Sequence, residues 1–516
     1  MMDIEVRPVT RLAGSPRAQA AFGPLIAALA GSGADLSRLR VACDWIQYRN
    51  NFRETAAVRP ILPPLAPSGT APLDTVPAAH ELAVDLRRCA APDADVAAAV
   101  GSALAGLAAD PDDVGQQDTG QQDTGQQDRV WLEDWVPGSA SCVWRFNALY
   151  WQHLADWEKA AGREYERALP GGESAATNQA AARELILDLF KVWDELANRR
   201  ALPEELYVLE LGVGNGGQAR TFLDEFAALD RRHGREYYRR LHYLMGDYSA
   251  HVLDRAREAV APHQARVSGL VVEATRLRDS LAFLAGKAFC VYISNVYDNL
   301  PADEVAAIRG RVYLVQVRSY LPGAAAQAIG QRFSLAPGPP GGTGALVPLV
   351  KRLLRIGPEL LAESVPEIFG STQRATEFWQ ETWAALRQAE RYVPLEGLDT
   401  YEITPGVTGE IMRPLLTAEG DVRMHVSNGA LSSFAGTLPL LHPFGRVVCH
   451  DLFTTAHEEY HAGFFGPGKY DGSTVNWVNG PLLALLASRR GFEAGFTPFT
   501  QRPSAHVKTL TAQVRD

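Results

Sequence analysis

From Tyr207 onward, the chain carries short apolar runs that are separated by amphipathic stretches. Apolar runs begin at Tyr207 and recur within 241–249, 268–277, 287–301 and 311–320, and they predict buried strands. The segments between them, such as QARTFLDEFAALD and HVLDRAREAVAPH, have the apolar spacing of helices. Strands that alternate with helices in this way predict a mostly parallel sheet that is covered by helices on both faces.

A further helix is predicted ahead of the first strand, at about 178–198. Its apolar residues recur at spacings of three or four, which places them on one face of a helix: Leu185, Leu189, Val192 and Leu196. Before it, an aromatic-rich segment begins at Arg129. We expect this whole region to form a helical lead-in or lid.

Three copies of GQQD within 109–128 divide the chain. This polar tract has nothing to bury and predicts a flexible linker. A second interruption contains the loop APGPPGGTGA and long helical stretches. The predicted organisation is an N-terminal region of unassigned role (1–108), the linker (109–128), the helical lead-in or lid (129–200), an α/β core (201–320), an insertion that forms a substrate or lid region (321–425) and the completion of the core (426–516).

The bulk composition is that of a globular protein in a reducing compartment. With 516 residues, of which 46% are hydrophobic and 21% charged, the chain has room for two or three domains. A formal net charge of −10 argues against nucleic-acid binding, which needs a basic surface. The five cysteines include no CxxC pair, and no run of about 18 apolar residues occurs. We therefore expect a cytoplasmic protein without a membrane span, and an oligomer is possible.

The most informative motif is ELGVGNGG, directly after the first predicted strand. Gly212, Gly214 and Gly217 match G-x-G-x-x-G, the dinucleotide fingerprint. The same stretch also matches E-x-G-x-G-x-G, which starts at Glu210 and ends at Gly216. Glycines allow a ligand to approach the backbone closely, and the start of the following helix offers free N–H groups. A nucleotide-like ligand is therefore predicted, with a plain structural turn as the alternative.

Polar side chains follow the next three strands. Asp247 comes after the second strand, where a carboxylate can accept hydrogen bonds from two ribose hydroxyls. Glu273 follows the third strand and suits the exocyclic amine of adenine, and Ser294 and Asn295 follow the fourth. In an open parallel sheet the ligand lies outside these strand ends. Asp247 lies 30 residues beyond Gly217, which is longer than the roughly 20 of the dinucleotide fingerprint.

Four segments in this order, ELGVGNGG, MGDYSAHVLDRAR, VVEATRL and YISNVYDNLP, resemble the successive motifs of class I methyltransferases that use S-adenosylmethionine (SAM). Over about 140–510 the layout is most similar to the MidA-like family, whose mitochondrial members methylate an arginine of a respiratory complex I subunit. The resemblance implies an α/β fold with a doubly wound, mostly parallel Rossmann-like sheet, a helical insertion or lid and an N-terminal extension. It implies SAM as cofactor and a protein or small-molecule methyl acceptor, whereas the net charge and the lack of a long apolar run predict no nucleic-acid or membrane partner.

The resemblance also implies a cofactor site. Its residues would be Glu210, Gly212, Gly214, Gly216, Asp247 and Glu273, and the position after the fourth strand adds Ser294 and Asn295 to the predicted cofactor-binding set. In this set Glu210 and the glycines would surround the amino-acid part of SAM. Asp247 would bind the ribose, and Glu273 would lie near adenine.

The segment SNVYDNLP departs from the family pattern NE-aromatic-aromatic-DALP at one position. Asn295, Asp298, Leu300 and Pro301 match, but Val296 stands where the family has Glu. If that Glu orients a guanidinium, this chain cannot do so from position 296. Arginine methylation therefore does not follow from the resemblance.

SAM carries its own electrophile, so the protein must align a nucleophile and accept its proton. The candidate bases are Asp298 and Tyr297 in SNVYDNLP, and His450 and Asp451 at the end of a late predicted strand. The alternative is ordinary structure, because Asp298 with Asn299 before Leu-Pro can simply shape a turn.

The segment His457–His461 matches H-E-x-x-H, the pattern of zinc hydrolases. On a helix the two His would share a face and bind zinc, with Glu458 as the base. Gly463 and the GPG at 466–468 leave little room for a helix, and the sequence places no third ligand. We predict a solvated loop that holds no metal.

Three functions remain for the glycine loop. The first is a SAM-dependent methyltransferase that acts on a nitrogen or oxygen nucleophile, with a lid from about 140–200 and 330–425. The second is an NAD(P)-linked oxidoreductase that uses the same loop. The third is a non-catalytic SAM-binding assembly factor, which Val296 motivates.

Overall fold

A computed structural model describes most of the chain. The described residues are 3–6, 16–33, 36–43, 50–64, 79–85, 95–108, 129–163, 175–335, 344–417, 420–462, 466–499 and 507–515. The linker predicted at 109–128 lies outside them. Within the described part, no helix is long and apolar enough to cross a membrane.

The first three groups of elements lead up to the glycine loop and beyond it. The N-terminal group is β1 (Asp3–Val6), α1 (Pro16–Gly31), β2 (Leu39–Cys43), β3 (Asn50–Asn51), β4 (Ala56–Ile61), β5 (Ala79–Val84) and α2 (Val96–Ala108). The second group is β6 (Arg129–Trp131), β7 (Val136–Pro137), α3 (Cys142–Gln152), α4 (Leu154–Ala161) and α5 (Ala175–Asn198). The third is β8 (Leu206–Leu211), α6 (Gly217–Arg232), β9 (Leu241–Asp247), α7 (Ala250–Ala259), β10 (Val267–Val271), α8 (Leu277–Ser280) and β11 (Ala288–Ser294).

Two more groups complete the chain. The fourth is β12 (Glu304–Ile308), β13 (Arg311–Pro322), α9 (Gly323–Arg332), α10 (Leu346–Ser364), α11 (Thr372–Ala385), β14 (Arg387–Pro394), β15 (Glu402–Thr404), β16 (Val407–Thr408), α12 (Arg413–Leu416) and β17 (Val422–His425). The fifth is α13 (Asn428–Thr437), β18 (Leu441–Asp451), β19 (Phe453–Thr454), α14 (Glu458–Ala462), β20 (Gly468–Tyr470), β21 (Ser473–Val475), β22 (Val478–Asn479), α15 (Gly480–Arg489), β23 (Phe492–Pro498) and β24 (Lys508–Val514).

A seven-stranded sheet carries the glycine loop. Its strands lie in the order β10-β9-β8-β11-β18-β24-β23. The first five are parallel, and β24 runs antiparallel to both β18 and β23. Numbered by their order in the chain, the strands therefore lie 3-2-1-4-5-7-6. The order reverses between β8 and β11, so a topological switch point lies where these two strands end.

Apolar side chains cover both faces of this sheet. Val208 and Tyr243 belong to a cluster with α5, α6 and α7, whereas Leu209 and Val291 belong to a cluster with α8, α13 and α15. Successive residues of a strand point to opposite faces of a sheet, so the neighbours Val208 and Leu209 belong to different clusters. The mixed α/β class with parallel strands, which the sequence predicts, is confirmed.

Helix α5 forms where the sequence predicts it, but it is not part of a lid. Its apolar face, which includes Leu189 and Trp193, is buried against the seven-stranded sheet and α6. A separate apolar cluster holds α3, α4, α10 and α11 together as a helical layer. This layer meets the carboxyl edge of the sheet, where Gln152 donates to the Tyr248 hydroxyl at 2.8 Å.

A second sheet takes up the strand that the sequence places in the core at 311–320. That strand forms as β13, but it pairs with β12 and β14 in the order β1-β2-β5-β4-β14-β13-β12-β17, with β6 and β7 beside it. The reason lies in Arg309 and Gly310, whose φ values of 50° and 76° make a tight hairpin between β12 and β13. An antiparallel hairpin cannot continue a parallel βα repeat. The domain limits themselves stay predictions.

A buried ionic cluster joins the N-terminal strands to this sheet. Strands β4 and β14 share one register pair, Ile61 with Tyr392. Around it, the Nε of Arg59 lies 2.8 Å from Glu390, and Arg423 contacts both Glu390 and Glu304. Burial alone would raise the pKa of Glu390, but the guanidiniums lower it to about 2. Ion pairs such as Arg59–Glu390 therefore hold β4 against β14, two strands that share one register pair.

Candidate functional site

The glycine loop joins β8 to α6 at the switch point. Gly212, Gly214 and Gly216 have positive φ values of 75°, 55° and 80°. A methyl group added at Gly216 would lie 2.7 Å from the Cα of Ala256 in α7. The N–H of Gly212 donates to the carbonyl of Gly246 at 2.8 Å, which ties the loop to β9. Backbone conformation and crowding together explain why this turn needs glycine.

Val296 closes the opposite side of the switch point. A methyl group added at Gly212 would lie 2.3 Å from the Cγ2 of Val296, so the loop is in contact with the turn after β11. Where the family that the sequence resembles has Glu, this chain places an apolar side chain against the loop. A guanidinium therefore finds no ionic partner at position 296.

Asp247 ends β9 beside the glycine loop. Its Oδ1 accepts a hydrogen bond from the N–H of Ser249 at 3.0 Å, and the N–H groups of Gly214 and Tyr248 lie near enough to the carboxylate to lower its pKa. Burial raises the pKa of Asp247, and these donors lower it in part. A half-buried carboxylate held by backbone donors has a fixed orientation, which suits it to accept hydroxyl groups of a ligand.

Glu210 lies beneath the loop rather than at its surface. Its side chain is 3% exposed, and its Oε2 accepts a hydrogen bond from the Tyr243 hydroxyl at 2.6 Å. Burial, and then the charge of Glu210, raise the pKa of Tyr243 well above its ordinary value, so the tyrosine stays a donor. This contact gives Glu210 a role in fixing the end of β8, from which the loop starts.

Next to Asp247, the carboxyl edge of the seven-stranded sheet carries the ring of Tyr248 and the carboxylate of Glu273. Glu273 is exposed and accepts a hydrogen bond from the Thr275 hydroxyl at 2.6 Å. Tyr248 is 38% exposed, and its pKa is raised by burial and then by the charge of Glu273. Because β9 and β10 are parallel, Glu273 lies at the same edge of the sheet as Asp247, and its charge acts on the Tyr248 hydroxyl.

Ser294 and Asn295 lie at the end of β11. The N–H of Asn295 donates to the carbonyl of His450 at 2.9 Å, which extends the pairing with β18 by one residue. Asn295 has a positive φ of 51°, a conformation that Asn tolerates better than most residues, and its side chain is exposed. Both residues directly precede Val296, whose side chain is in contact with the glycine loop.

Asp298 and Asp451 form a buried carboxyl pair. Asp298 lies in the 3₁₀ turn Tyr297–Asn299 and is 5% exposed, and Asp451 ends β18 and is fully buried. The Oδ2 of Asp451 accepts the N–H groups of Val296 and Tyr297 at 3.1 and 2.8 Å. The two carboxyl groups are hydrogen-bonded to each other.

Burial and mutual repulsion govern the protonation of this pair. Burial, and then the charge of Asp451, raise the pKa of Asp298 well above its ordinary value. Burial raises the pKa of Asp451 to about 6, against the backbone donors that lower it. The pair therefore holds one shared proton and one negative charge near neutral pH. Such a pair can accept a second proton from a bound nucleophile.

His450, another predicted base, turns away from this pair. Its Nδ1 is 2.8 Å from the Thr509 hydroxyl of β24, and its ring packs against Phe499 with centroids 4.3 Å apart. Burial lowers its pKa to about 4. Successive residues of a strand face opposite sides, so His450 cannot share the direction of Asp451.

Tyr297 is directed into the core. Its ring is 2% exposed within the cluster that contains α13, and its hydroxyl lies beside Ser433 and Thr437. Burial raises its pKa well above the ordinary value, which keeps it protonated near neutral pH. Of the four predicted bases, the structure brings Asp298 and Asp451 together and packs the other two elsewhere.

The H-E-x-x-H segment forms only the short helix α14. The Nε2 atoms of His457 and His461 lie 3.3 Å apart. Glu459 accepts the N–H groups of Thr455 and Ala456, each at 2.9 Å, and so caps the start of the helix. Among the described residues, no group of three or more His, Cys, Asp or Glu side chains is placed to hold a metal ion.

Sequence reasoning missed three residues of this edge. Tyr248 could have been found, because it directly follows Asp247 in MGDYS. Tyr243 lies inside a predicted strand, and only the register of β8 with β9 places it near Glu210. Gln152 comes from a helix far upstream, and no local pattern marks it.

Comparison with known proteins finds distant structural likeness. No protein-family model and no curated protein matches the chain. An uncharacterized COG1565 superfamily protein from Burkholderia thailandensis is 14% identical with a TM-score of 0.42, over 73% of this chain and 87% of that one. A COG1565 superfamily member from the same organism, bound to S-adenosyl-homocysteine, is 15% identical with a TM-score of 0.42, over 73% and 88%. The 1,6-didemethyltoxoflavin-N1-methyltransferase of Burkholderia thailandensis is 9% identical with a TM-score of 0.31, over 75% and 100%.

Proposed function

We propose that this chain is a SAM-dependent methyltransferase with a doubly wound, class I type sheet. The observation that carries the proposal is the contact of the glycine loop with Asp247 at the switch point. The Gly212 N–H donates to the carbonyl of Gly246, the residue before Asp247, and the Gly214 N–H acts on the Asp247 carboxylate, so a backbone cradle and a ribose acceptor lie side by side. These residues fit the cofactor, since they offer small glycines to its amino-acid end and a fixed carboxylate to its hydroxyls.

The strand order favours SAM over a dinucleotide. The dinucleotide fold has the order 3-2-1-4-5-6, in which two similar halves bind the two nucleotides. Here the antiparallel β24 separates β18 from β23, and β23 ends as an exposed edge. The half that would hold a second nucleotide is therefore built differently, whereas the half with the glycine loop is retained.

The chemistry assigned to the chain is binding, orientation and proton transfer. SAM would supply an activated methyl group. The glycine loop and Asp247 bind it, and the Asp298–Asp451 pair, which carries one negative charge, accepts the proton of the nucleophile. Asp298 serves as the entry point for that proton because it is the more exposed of the two.

The acceptor we propose is a nitrogen or oxygen nucleophile of a small molecule or a protein side chain. Val296 argues against a guanidinium, because the side chain beside Gly212 is an apolar one that cannot form an ion pair. A neutral amine or a hydroxyl, whose proton must leave, matches the carboxyl pair better.

Calorimetry with SAM, S-adenosylhomocysteine and NADH tests the cofactor. We expect binding of the first two at micromolar concentration and none of NADH. Binding of NADH without SAM would favour the oxidoreductase instead. Transfer of a tritiated methyl group into size-fractionated cell lysate then tests catalysis, since it reports whether the acceptor is a macromolecule or a metabolite. SAM binding without label in either fraction would favour a non-catalytic SAM-binding assembly factor.

A further inference from the structure

The hairpin of β20 and β21 lies between the helical layer and the turn that carries Asp298. At its tip, the Oδ2 of Asp471 accepts hydrogen bonds from the Tyr150 hydroxyl at 3.1 Å and the Trp157 Nε1 at 3.2 Å. After its second strand, the N–H of Asn476 donates to the carbonyl of Asp298 at 2.8 Å. The hairpin therefore connects α3 and α4 to the proposed proton acceptor.

Asn147 of α3 makes a second and shorter connection. Its side chain is 5% exposed. Its Nδ2 donates to the carbonyl of Asn299 at 2.7 Å, and its Oδ1 accepts the N–H of Thr474 in β21 at 2.8 Å. One buried amide thus bridges the helical layer, the hairpin and the turn, and it uses its donor and its acceptor at once.

We propose that Asn147 is a positioning residue, which holds the turn Tyr297–Asn299 and the hairpin in register and thereby fixes Asp298 against Asp451. The proposal rests on the proposed methyltransferase function. Asn299 transmits the constraint, because its Nδ2 donates to the Oδ1 of Asp298 at 2.8 Å. An error of about 1 Å in the place of a catalytic group can cost roughly a hundredfold in rate.

The amide is chemically specific in this place. Leu has a similar size but neither donor nor acceptor, and an ionised Asp can accept the Thr474 N–H but cannot donate to the Asn299 carbonyl. A protonated Asp can do both. Substitution of Asn147 by Asp therefore predicts a defect that is relieved as the pH falls.

The experiment uses the full chain with Asn147→Leu and Asn147→Asp, and the exposed Arg145→Ala of the same helix as control. Hydrogen exchange reports the segments 297–300 and 474–476, and calorimetry with S-adenosylhomocysteine reports the glycine loop. We expect Asn147→Leu to exchange about tenfold faster in both segments while its affinity stays within about threefold. Asn147→Asp should loosen 297–300 at pH 8 and recover toward pH 5, relative to the wild type at each pH.

Methyl transfer adds a readout that a merely structural role would not move. In Asn147→Leu, kcat should fall about tenfold or more with little change in the KM for SAM. The acid limb of its pH profile should move to lower pH, because Asp298 moves away from Asp451, whose charge raises the pKa of Asp298 in the wild type, and from the buried thiol of Cys449. Unchanged exchange in 297–300, or an equal loss of kcat in Arg145→Ala, would overturn the inference. A wild type that transfers no methyl group would instead overturn the proposed function, and the exchange data would still decide whether Asn147 holds the turn.

Discussion

The carboxyl groups of Asp298 and Asp451 are hydrogen-bonded to each other, although they follow different strands of the sheet. The parallel pairing of β11 with β18 brings the two strand ends together, since Ser294 lies opposite His450. Two acids in one buried site cannot both ionise at low cost. The pair is therefore a source of instability that persists next to the glycine loop, as expected of a functional site.

Asp298→Asn should make the protein less sensitive to pH. A carboxyl whose pKa is higher in the folded than in the unfolded chain binds more protons when folded, so stability falls as pH rises through that window. For Asp298 the window opens at its ordinary value of 3.8 and extends well above it, because burial and then the charge of Asp451 raise its pKa. An amide at 298 does not ionise, so this loss of stability disappears, and we expect a gain on the order of 2 kcal/mol at pH 7 with none at pH 4. Urea unfolding at several pH values measures this, and the exposed Asp279→Asn should keep the wild-type slope.

Gly216→Ala should cost more stability than Gly234→Ala. Both glycines have positive φ, at 80° and 63°, but only the methyl group at 216 would meet the Ala256 backbone, whereas nothing lies within 4 Å at 234. The conformational cost alone is about 1 kcal/mol, and the clash should add about 1–2 kcal/mol. Affinity for S-adenosylhomocysteine should fall at least about tenfold in Gly216→Ala only. Equal losses in the two variants would contradict the assignment of crowding to this loop.

Asp247→Asn should weaken binding of S-adenosylhomocysteine without unfolding the loop. The amide oxygen can still accept the Ser249 N–H, but one carboxylate acceptor for ligand hydroxyls is lost. We expect an affinity lower by about tenfold, with a change in melting temperature of the free protein within a few degrees. Asp254→Asn on the exposed face of α7 is the matched control and should bind like the wild type. If both variants bind equally well, Asp247 does not contact the ligand.

The sequence predicts the parts of the site that depend on local order along one strand and its turn. Gly212 and Asp247 follow predicted strands directly, and parallel strands bring their carboxyl ends to one edge whatever the rest of the chain does. Side-chain direction is harder, because the 3₁₀ turn after β11 sends Tyr297 into the core and keeps Asp298 at the edge. Inserting or deleting one residue in that turn would exchange the directions of these two side chains.

Long-range partners were not predictable from one sequence. Asn147 reaches Asn299 across 152 positions, and Arg423 joins Glu390 in a sheet whose strands come from all parts of the chain. Such contacts depend on which strands pair, and the apolar pattern of β13 is equally compatible with either sheet. The hairpin at Arg309 and Gly310 pairs β13 with β12 and so places β13 in the second sheet.

Arg423→Met should destabilise the second sheet, which contains β12, β13, β14 and β17. The guanidinium is 2% exposed and pairs with Glu304 and Glu390, so its loss leaves buried carboxylates short of a partner. Removal of one member of a buried ion pair typically costs about 3–5 kcal/mol. Because the pKa of Glu390 is lowered to about 2 by these guanidiniums, its stabilising effect is full above its ordinary 4.5 and is lost as the pH falls toward 2. Urea unfolding should show the deficit at pH 7 and a smaller one near pH 3, with the exposed Arg276→Met unaffected.

Tyr243→Phe should reveal that Glu210 supports the glycine loop from beneath. The hydroxyl donates to a carboxylate that is 3% exposed, and its removal leaves that charge with fewer donors in a site that water does not reach. We expect a loss of about 1–3 kcal/mol. Tyr207→Phe is the matched control on the neighbouring strand, because its hydroxyl also donates to a glutamate, Glu205, but at an exposed site. That variant should change stability by less than about 0.5 kcal/mol.

Affinity for S-adenosylhomocysteine should fall in Tyr243→Phe alone, since the end of β8 sets the start of the loop. Equal stability losses in the two variants would show that the burial of Glu210 does not increase the contribution of this hydrogen bond to stability.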